Sequence, residues 1–259
     1  MIRPGLFFLF SFTFCFSVFS QIVNIENRRI YDDTLGWSGA LDGNFSVMQN
    51  KEMLINGGFR PRVQYKTNRH YFLLLTDWFY SKAPNAVYAN SGMLHLRYAW
   101  RLSSKMKGKK SPWKWESYTQ LQYNQLLDQR LRALTGTGLR LKAIDNAKWR
   151  VFLGSSIFFE HEELRTNSSQ INGIRWSNYL SFFAALSKEI SLTSIVYAQP
   201  LVERFEDVRF MGQFTLAINV FKRTDLKFEF NHFYDAFPPN GVRNLIFNGA
   251  MGFRVRLGE

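Results

Sequence analysis

The chain has 259 residues, a formal net charge of +13 and an aromatic content of 17%, but its mean hydropathy is only −0.21. This composition excludes a helical membrane protein with several spans, which would be far more apolar. It favours a transmembrane β-barrel, whose polar lumen face dilutes the lipid-facing residues. The length allows one large all-β domain or two ordinary domains. The charge indicates an anionic partner such as lipopolysaccharide, anionic lipid or an acidic solute.

The N-terminus has the pattern of a cleaved signal peptide, which we assign to residues 1–20. Arg3 precedes an apolar run over residues 6–19, and Val18 and Ser20 occupy the small-residue positions before Gln21. The only cysteine, Cys15, lies inside this segment and is followed by Phe16, so we expect removal rather than lipidation. The mature protein then has no disulfide and no thiolate metal site. Export also excludes nucleic acid as a partner.

Residues 21–34 are predicted to form a periplasmic N-terminal segment, and residues 35–259 an outer-membrane β-barrel. From Leu35 onward, apolar and polar residues alternate with the period of two that marks a strand with one apolar face. Twelve strands are predicted, an even number as in bacterial single-chain barrels. Their approximate ranges are 35–47, 53–66, 71–81, 94–102, 115–124, 130–142, 149–162, 174–186, 190–199, 208–221, 226–235 and 242–257.

The hairpin over residues 115–142 shows this pattern best. Each of its strands has about ten residues or more, and at roughly 3.3 Å per residue that length lets a tilted strand cross the hydrocarbon core of a bilayer. The strand over 71–81 is apolar on both faces, so the pattern leaves its orientation open. No segment after the signal peptide reaches about 18 consecutive apolar residues, which argues against a helical anchor.

The connections also sort by position along the chain. With the N-terminus in the periplasm, the longest outward loops are predicted at 161–173, 200–207 and 235–241, whereas inward turns such as 67–68, 187–189 and 222–225 are short. One inward connection departs from this rule. It is the lysine-rich segment 103–114, which includes Lys105 and Lys114. Such a charge run is usually a solvated loop, and the alternative is a contact for anionic lipid or an acidic envelope protein.

Aromatic residues fall at the predicted strand ends on the apolar face, as expected for two girdles at the bilayer interfaces. The periplasmic girdle consists of Trp37, Trp100, Trp115 and Trp149, and the outer girdle of Tyr123, Phe159, Trp176 and Tyr234. Aromatic residues scattered through a large soluble core would explain their number but not this sorting.

Several short motifs occur along the chain. They are Tyr118-Thr-Gln120-Leu-Gln122-Tyr-Asn124, Arg130-Leu131-Arg132, Gly136-Thr-Gly138-Leu139-Arg140, Tyr197-Ala-Gln199-Pro200 followed by Asp207 and Arg209, and Tyr234-Asp235 before Pro238-Pro239 and Gly241-Val242. These motifs resemble the salt-induced outer-membrane protein family, a family with a domain of unknown function in Gram-negative bacteria, and the resemblance covers most of the chain from about Trp37 onward. The resemblance implies an outer-membrane barrel and no agreed biochemical activity.

The polar strand faces are expected to line the lumen, where Tyr118 should cover Gly136. One interpretation is a structural polar ladder that braces the wall, and the other is a basic track along which small anions pass. A barrel of about twelve strands has an intermediate bore that allows either. The basic track would consist of Arg97, Arg101, Arg130, Arg132, Arg140 and Lys142. The other polar and acidic lumen residues would be Glu116, Gln120, Gln122, Asn124, Glu160, Glu162 and Glu229.

Enzymatic readings find little support in the sequence. The four histidines are far apart, and none has a metal-ligand spacing. Glu160 and Glu162 share a strand face, but Arg175 on the predicted return strand favours an ion-paired wall over paired catalytic carboxylates. We expect no metal and no cofactor.

The sequence therefore predicts an all-β, antiparallel, up-and-down transmembrane barrel of about twelve strands in the outer membrane of a Gram-negative bacterium. It would contact outer-membrane lipid and lipopolysaccharide, and would act as a narrow, anion-leaning channel or as a structural barrel. The alternative is an accessory subunit that binds envelope proteins through the lysine-rich segment or the extracellular loops. A third possibility is a secreted soluble β-sandwich.

Overall fold

The chain forms a closed antiparallel barrel of twelve strands. The structure, a computed structural model, describes residues 35–49, 53–84, 86–103 and 111–257. Each strand pairs with its neighbours in sequence, and β1 pairs with β12 to close the barrel. The all-β fold class and the strand number are thus confirmed, and the sandwich is excluded. The strands are β1 Gly36–Gln49, β2 Met53–Lys66, β3 His70–Ala83, β4 Ala86–Arg101, β5 Trp113–Asn124, β6 Gln129–Asp145, β7 Trp149–Leu164, β8 Gln170–Ala185, β9 Ile190–Leu201, β10 Arg204–Phe221, β11 Thr224–Asp235 and β12 Leu245–Leu257.

We call the end at which β1 begins and β12 ends the proximal end, and the opposite end the distal end. Two predicted distal loops, 161–173 and 200–207, prove to be mostly strand, because β7 reaches Leu164, β8 begins at Gln170 and β10 begins at Arg204. Beyond the apolar band an outward-facing residue need not be apolar. Both faces of these strand ends are polar, so the sequence pattern predicted loops there. The backbone pairing nevertheless continues through them.

The outward faces of the strands are apolar. Leu96 is 47% exposed and Phe253 is 57% exposed, and Leu94, Leu139 and Val255 are also exposed, whereas arginines such as Arg97 and Arg140 are buried inside. Monomeric soluble proteins rarely expose contiguous apolar patches larger than a few hundred Å². The outer surface therefore fits hydrocarbon, and the polar faces enclose the lumen.

The lumen faces of β3 and β4 contain an apolar patch beside charged residues such as Asp77 and Arg97. Tyr71, Leu73 and Leu75 point inward and form a buried cluster with Met93 and Ala99. This settles the orientation of β3, which sequence alternation left open. The opposite faces of these strands meet the exterior, so both faces of β3 are apolar for different reasons.

Three predicted segments lie outside the described residues. They are the signal peptide 1–20, the segment 21–34 and residues 104–110 of the lysine-rich connection. The cleavage site and the role of Lys105 therefore stay predictions. Within the described part of the chain, no helix has the length and apolar character needed to cross a membrane.

Candidate functional site: the barrel lumen

The distal third of the lumen contains a buried ion-pair network centred on Glu160 of β7, which is fully buried. Its carboxylate accepts hydrogen bonds from Arg132 Nη2 at 2.7 Å, Arg175 Nε at 2.6 Å and Arg209 Nη1 at 3.0 Å. The three arginines come from β6, β8 and β10. Because β8 and β9 separate β7 from β10 in the wall, the Arg209 side chain extends over the inner faces of these two strands to reach Glu160.

Further carboxylates complete this distal network, which we define as Arg132, Glu160, Glu162, Arg175, Asp207, Arg209 and Asp235. Arg209 Nε donates to Asp235 at 2.8 Å, and Arg175 Nη2 donates to Asp207 at 2.9 Å. Three guanidinium groups thus face four carboxylates away from water. Removing one partner from such a set leaves an uncompensated buried charge, which costs about 3–5 kcal/mol.

A second set, the seam network, joins the first and last strands of the barrel. It consists of Asp42, Arg60, Arg62, Asp77, Lys227, Glu229 and Arg254. Asp42 is 2.9 Å from Arg62 Nη1, 2.9 Å from Lys227 Nζ and 3.1 Å from Arg254 Nε. Since Lys227 and Arg254 lie on β11 and β12, this carboxylate ties β1 to the strands that close the barrel.

A third group lies on β4 to β6, closer to the proximal end. Arg97 Nη1 donates to Glu116 Oε2 at 3.0 Å, and Arg140 Nη1 is 3.6 Å from Glu116 Oε1. The Arg140 guanidinium also lies 3.9 Å from the centre of the Phe152 ring, and Arg97 lies 5.2 Å from that of Tyr118. Cation–π contacts of this kind stabilise a cation without neutralising its charge.

The Tyr118 ring covers Gly136, as predicted. A Cβ on Gly136 would lie 2.8 Å from the Tyr118 ring and 2.6 Å from Phe158 Cβ, so only glycine fits under the tyrosine. The Tyr118 hydroxyl is 3.0 Å from Ser156 Oγ. The glycine therefore gives the tyrosine side chain room against the wall.

A cavity follows this wall along the barrel. On β6 its lining runs from Gln129 at the distal end to Gly138, which is about nine residues or roughly 30 Å along the strand. About 90 Å³ of the cavity is open to the centres of water molecules, and one water needs only about 10–15 Å³ by this measure. Its lining includes the rings of Tyr118, Phe158, Tyr179, Tyr197 and Phe233, the amides of Gln120, Gln122, Gln129 and Gln199, and the guanidinium groups of Arg97, Arg132 and Arg209.

Most of the predicted lumen residues point inward. Arg97, Arg132, Arg140, Glu116, Gln120, Asn124, Glu160, Glu162 and Glu229 are buried, whereas Gln122, Arg101 and Lys142 are half-buried. Asn124 has a local role, because its Oδ1 accepts hydrogen bonds from the backbone N–H groups of Leu126 and Leu127 in the short 3₁₀ turn after β5. Across the hairpin, Asn124 pairs with Gln129.

The prediction that Arg130 belongs to the basic track in the lumen is wrong. The register between β6 and β7 shifts between Gln129 and Leu131, so Arg130 leaves the lumen face. Its side chain is 59% exposed and pairs with Glu163. Apolar and polar residues alternate with a period of two, and continuing that alternation through the turn places Arg130 on the lumen face. The pattern cannot reveal this bulge.

Sequence reasoning missed the contributions of Asp42, Arg60, Asp77, Asp207, Arg209, Lys227 and Asp235 to the buried networks. Alternation gives the strand faces of Asp42, Arg60, Arg209, Lys227 and Asp235, but their partners lie on other strands. Asp77 lies on the strand whose orientation the sequence left open, and Asp207 lies in a segment predicted as a loop. The expected contact between Arg175 and Glu160 is present. Within the described ranges, no group of three or more His, Cys, Asp or Glu side chains could hold a metal ion.

The predicted girdle residues all lie on the outward face. Trp37, Trp100 and Trp115 are exposed near the proximal end, and Trp149 packs beside Phe182 there. At the distal end, Tyr123 and Tyr234 each stand one residue before the end of their strands. Phe159 and Trp176 stand farther from the distal end than predicted, since β7 and β8 extend past them.

Comparison with known proteins places the chain among barrels of this kind. A family model described as "Protein of unknown function, DUF481" matches residues 50–245. The solved structure titled "NanC porin structure in rhombohedral crystal form" is similar with a TM-score of 0.51 and 12% identity, over 84% of this chain and 98% of that one.

The COG4313 outer membrane channel from Pseudomonas putida F1 is similar with a TM-score of 0.52 and 10% identity, over 86% of this chain and 96% of that one. At these identities the likeness concerns the fold alone. A comparison with curated proteins gives no match.

Proposed function

We propose that the chain, which belongs to the family described as "Protein of unknown function, DUF481", forms a narrow, anion-leaning passage across the outer membrane and is not an enzyme. In this proposal the proximal end faces the periplasm, and lipid and lipopolysaccharide cover the apolar outer surface. The motif resemblance noted above extends the proposal to a barrel of the salt-induced outer-membrane protein family.

The elongated cavity in the lumen is the main observation that supports this proposal. It follows the β5–β10 wall for much of the length of β6 and has guanidinium groups near both ends, from Arg97 to Arg132 and Arg209. An apolar, tightly packed lumen would give a solute no hydrated path, whereas amide, hydroxyl and guanidinium groups replace water around a small anion. The distal network borders this cavity, since Arg132 and Arg209 belong to its lining.

Planar-bilayer recording with the purified mature chain tests the proposal. A passage gives unitary conductance, and in a salt gradient its reversal potential shows that anions are favoured. Arg132→Gln should shift that potential toward cations, because Glu160 then loses one of its three arginines. Arg130→Gln is the matched control. It removes the same charge two residues away, but from the outer face, and should leave the potential unchanged.

An absence of conductance would overturn the passage, and so would equal effects of the two variants. The buried ion pairs that brace nearby strands favour one alternative, an accessory barrel that binds envelope proteins. That role predicts stoichiometric partners after purification in mild detergent, without conductance.

A further inference from the structure

The junction that closes the barrel is paired over only part of its length. β1 pairs with β2 along all 14 of its residues, but it pairs with β12 only over residues 39–43, opposite residues 253–257. Within the described chain, no strand pairing joins residues 44–49 of β1 to residues 245–252 of β12, although both segments belong to their strands. We call these two segments the open edge of β1 and the open edge of β12.

The two strands part just beyond their last pair. A Cβ atom on Gly252 would lie 2.8 Å from the carbonyl oxygen of Gly43 on β1. Farther along β12, the nearest atom to a Cβ on Gly249 is the carbonyl oxygen of Glu229 on β11, at 3.8 Å. β12 therefore stays against β11, while β1 is no longer close to it at this position.

A small cavity lies at the point where the strands part. It is lined by Lys227 of the seam network and also by Met251 and Phe253, whose side chains face outward. Phe45 is 73% exposed and Met251 is 63% exposed, whereas Leu96 in the middle of β4 is 47% exposed. Phe45 and Met251 would shield each other if the pairing continued to them, so their exposure also indicates that the edges are separate.

Both open edges lie in the apolar band of the barrel. Their outward side chains include Phe45 and Val47 on β1, and Leu245, Phe247 and Met251 on β12. In hydrocarbon, a backbone N–H or C=O group without a hydrogen bond costs several kcal/mol, and open sheet edges are therefore avoided. Acyl chains have neither donors nor acceptors, so lipid covers the side chains but cannot satisfy the edges. The group that completes them is another β-strand.

We propose that the open edges bind a second copy of this chain, with β1 of each copy pairing with β12 of the other. β1 runs from the proximal to the distal end and β12 runs back. A two-fold axis parallel to the barrel axis therefore sets each open edge beside an antiparallel complement. Both copies keep the same orientation in the membrane. A single strand from another protein, in contrast, would be antiparallel to only one of the two edges.

The existing pairs suggest the register between the copies. Pairing that continues the register of residues 39–43 sets Phe45 beside Met251 and Val47 beside Gly249, here of the second copy. Residues 44–49 span roughly 20 Å at about 3.3 Å per residue, which is the length of an ordinary strand. The proximal part of each barrel stays closed, because residues 39–43 keep their pairs within one chain.

Disulfide trapping tests the arrangement. The only cysteine, Cys15, lies in the predicted signal peptide, so the mature chain has no other thiol. Chains with Phe45→Cys and chains with Met251→Cys are co-expressed with different affinity tags and oxidised in the membrane. Residues directly opposite each other have Cα atoms about 4.5–5.5 Å apart, a separation that a disulfide spans. We therefore expect a linked dimer that carries both tags.

Each single variant expressed alone should stay monomeric on a denaturing gel, because copies of the same residue lie on different joints; a linked dimer there would contradict the two-fold arrangement. The matched control combines Leu96→Cys with Phe214→Cys. These residues are also apolar and exposed, but they lie on β4 and β10, away from the open edges. Chance encounters in the membrane would link this pair as well, and equal yields in the two mixtures would overturn the proposal.

A chain that carries both Phe45→Cys and Met251→Cys separates a second copy from closure within one chain. Two-fold pairing joins two such chains, whereas a monomer with an internal disulfide would show that the seam closes on itself and would overturn the proposal. The native chain in mild detergent should have twice the mass of one chain. A stoichiometric different protein in its place would also overturn it. None of these measurements depends on conductance, so they leave the proposed passage untouched.

Discussion

Glu160 provides the sharpest test of the buried networks. The substitution Glu160→Gln keeps the shape of the side chain but removes the charge that Arg132, Arg175 and Arg209 share. The side chain of Glu160 is 1% exposed, so water cannot replace the lost carboxylate. Removing one partner of a buried ion pair costs about 3–5 kcal/mol, and we expect the free energy of unfolding to fall by that amount.

The assay is equilibrium unfolding in urea with the mature barrel in lipid vesicles, followed by tryptophan fluorescence. Glu163→Gln is the control, because Glu163 lies three residues away on the same strand and pairs with the exposed Arg130. Its loss should leave the unfolding midpoint unchanged, since surface ion pairs contribute little.

A double variant shows whether the loss arises in the network itself. Arg209→Met removes one of the three arginines whose shared partner is lost in Glu160→Gln, so the two substitutions together should cost less than the sum of the single ones. Strict additivity would refute the coupled network. A stable Glu160→Gln variant would refute the burial argument.

Two further predictions concern other parts of the barrel. Gly136→Ala should lower the free energy of unfolding by about 1–3 kcal/mol, because the new Cβ overlaps Tyr118 and Phe158; Gly249→Ala, whose nearest atom is 3.8 Å away, is the control, and equal effects would contradict the overlap. Asp42→Asn should weaken the closure between β1 and β12, so hydrogen exchange should accelerate in those strands but not in β6. Uniform acceleration in all three strands would show that Asp42 does not act at the seam.

The sequence predicted the barrel because one local rule, alternation with a period of two, repeats in every strand. It predicted most of the lumen face for the same reason, and Arg97, Arg132 and Glu160 all point inward. It did not predict the ion pairs, because Asp42 and Lys227 meet only after the barrel closes. The prediction for Arg130 was wrong for another reason, since the bulge at the start of β6 depends on pairing with β7.

The contrast between the two sides of the lumen indicates where function lies. If stability alone were required, an apolar filling like that of Leu73, Leu75 and Met93 on β3 and β4 would serve the whole interior, since apolar replacements of buried ion pairs are often neutral or stabilising. The β5–β10 wall instead combines buried charges with a polar-lined cavity large enough to hold water. Substitutions on the apolar side, such as Leu75→Ala, should therefore lower stability without changing ion selectivity, whereas Arg132→Gln should change both.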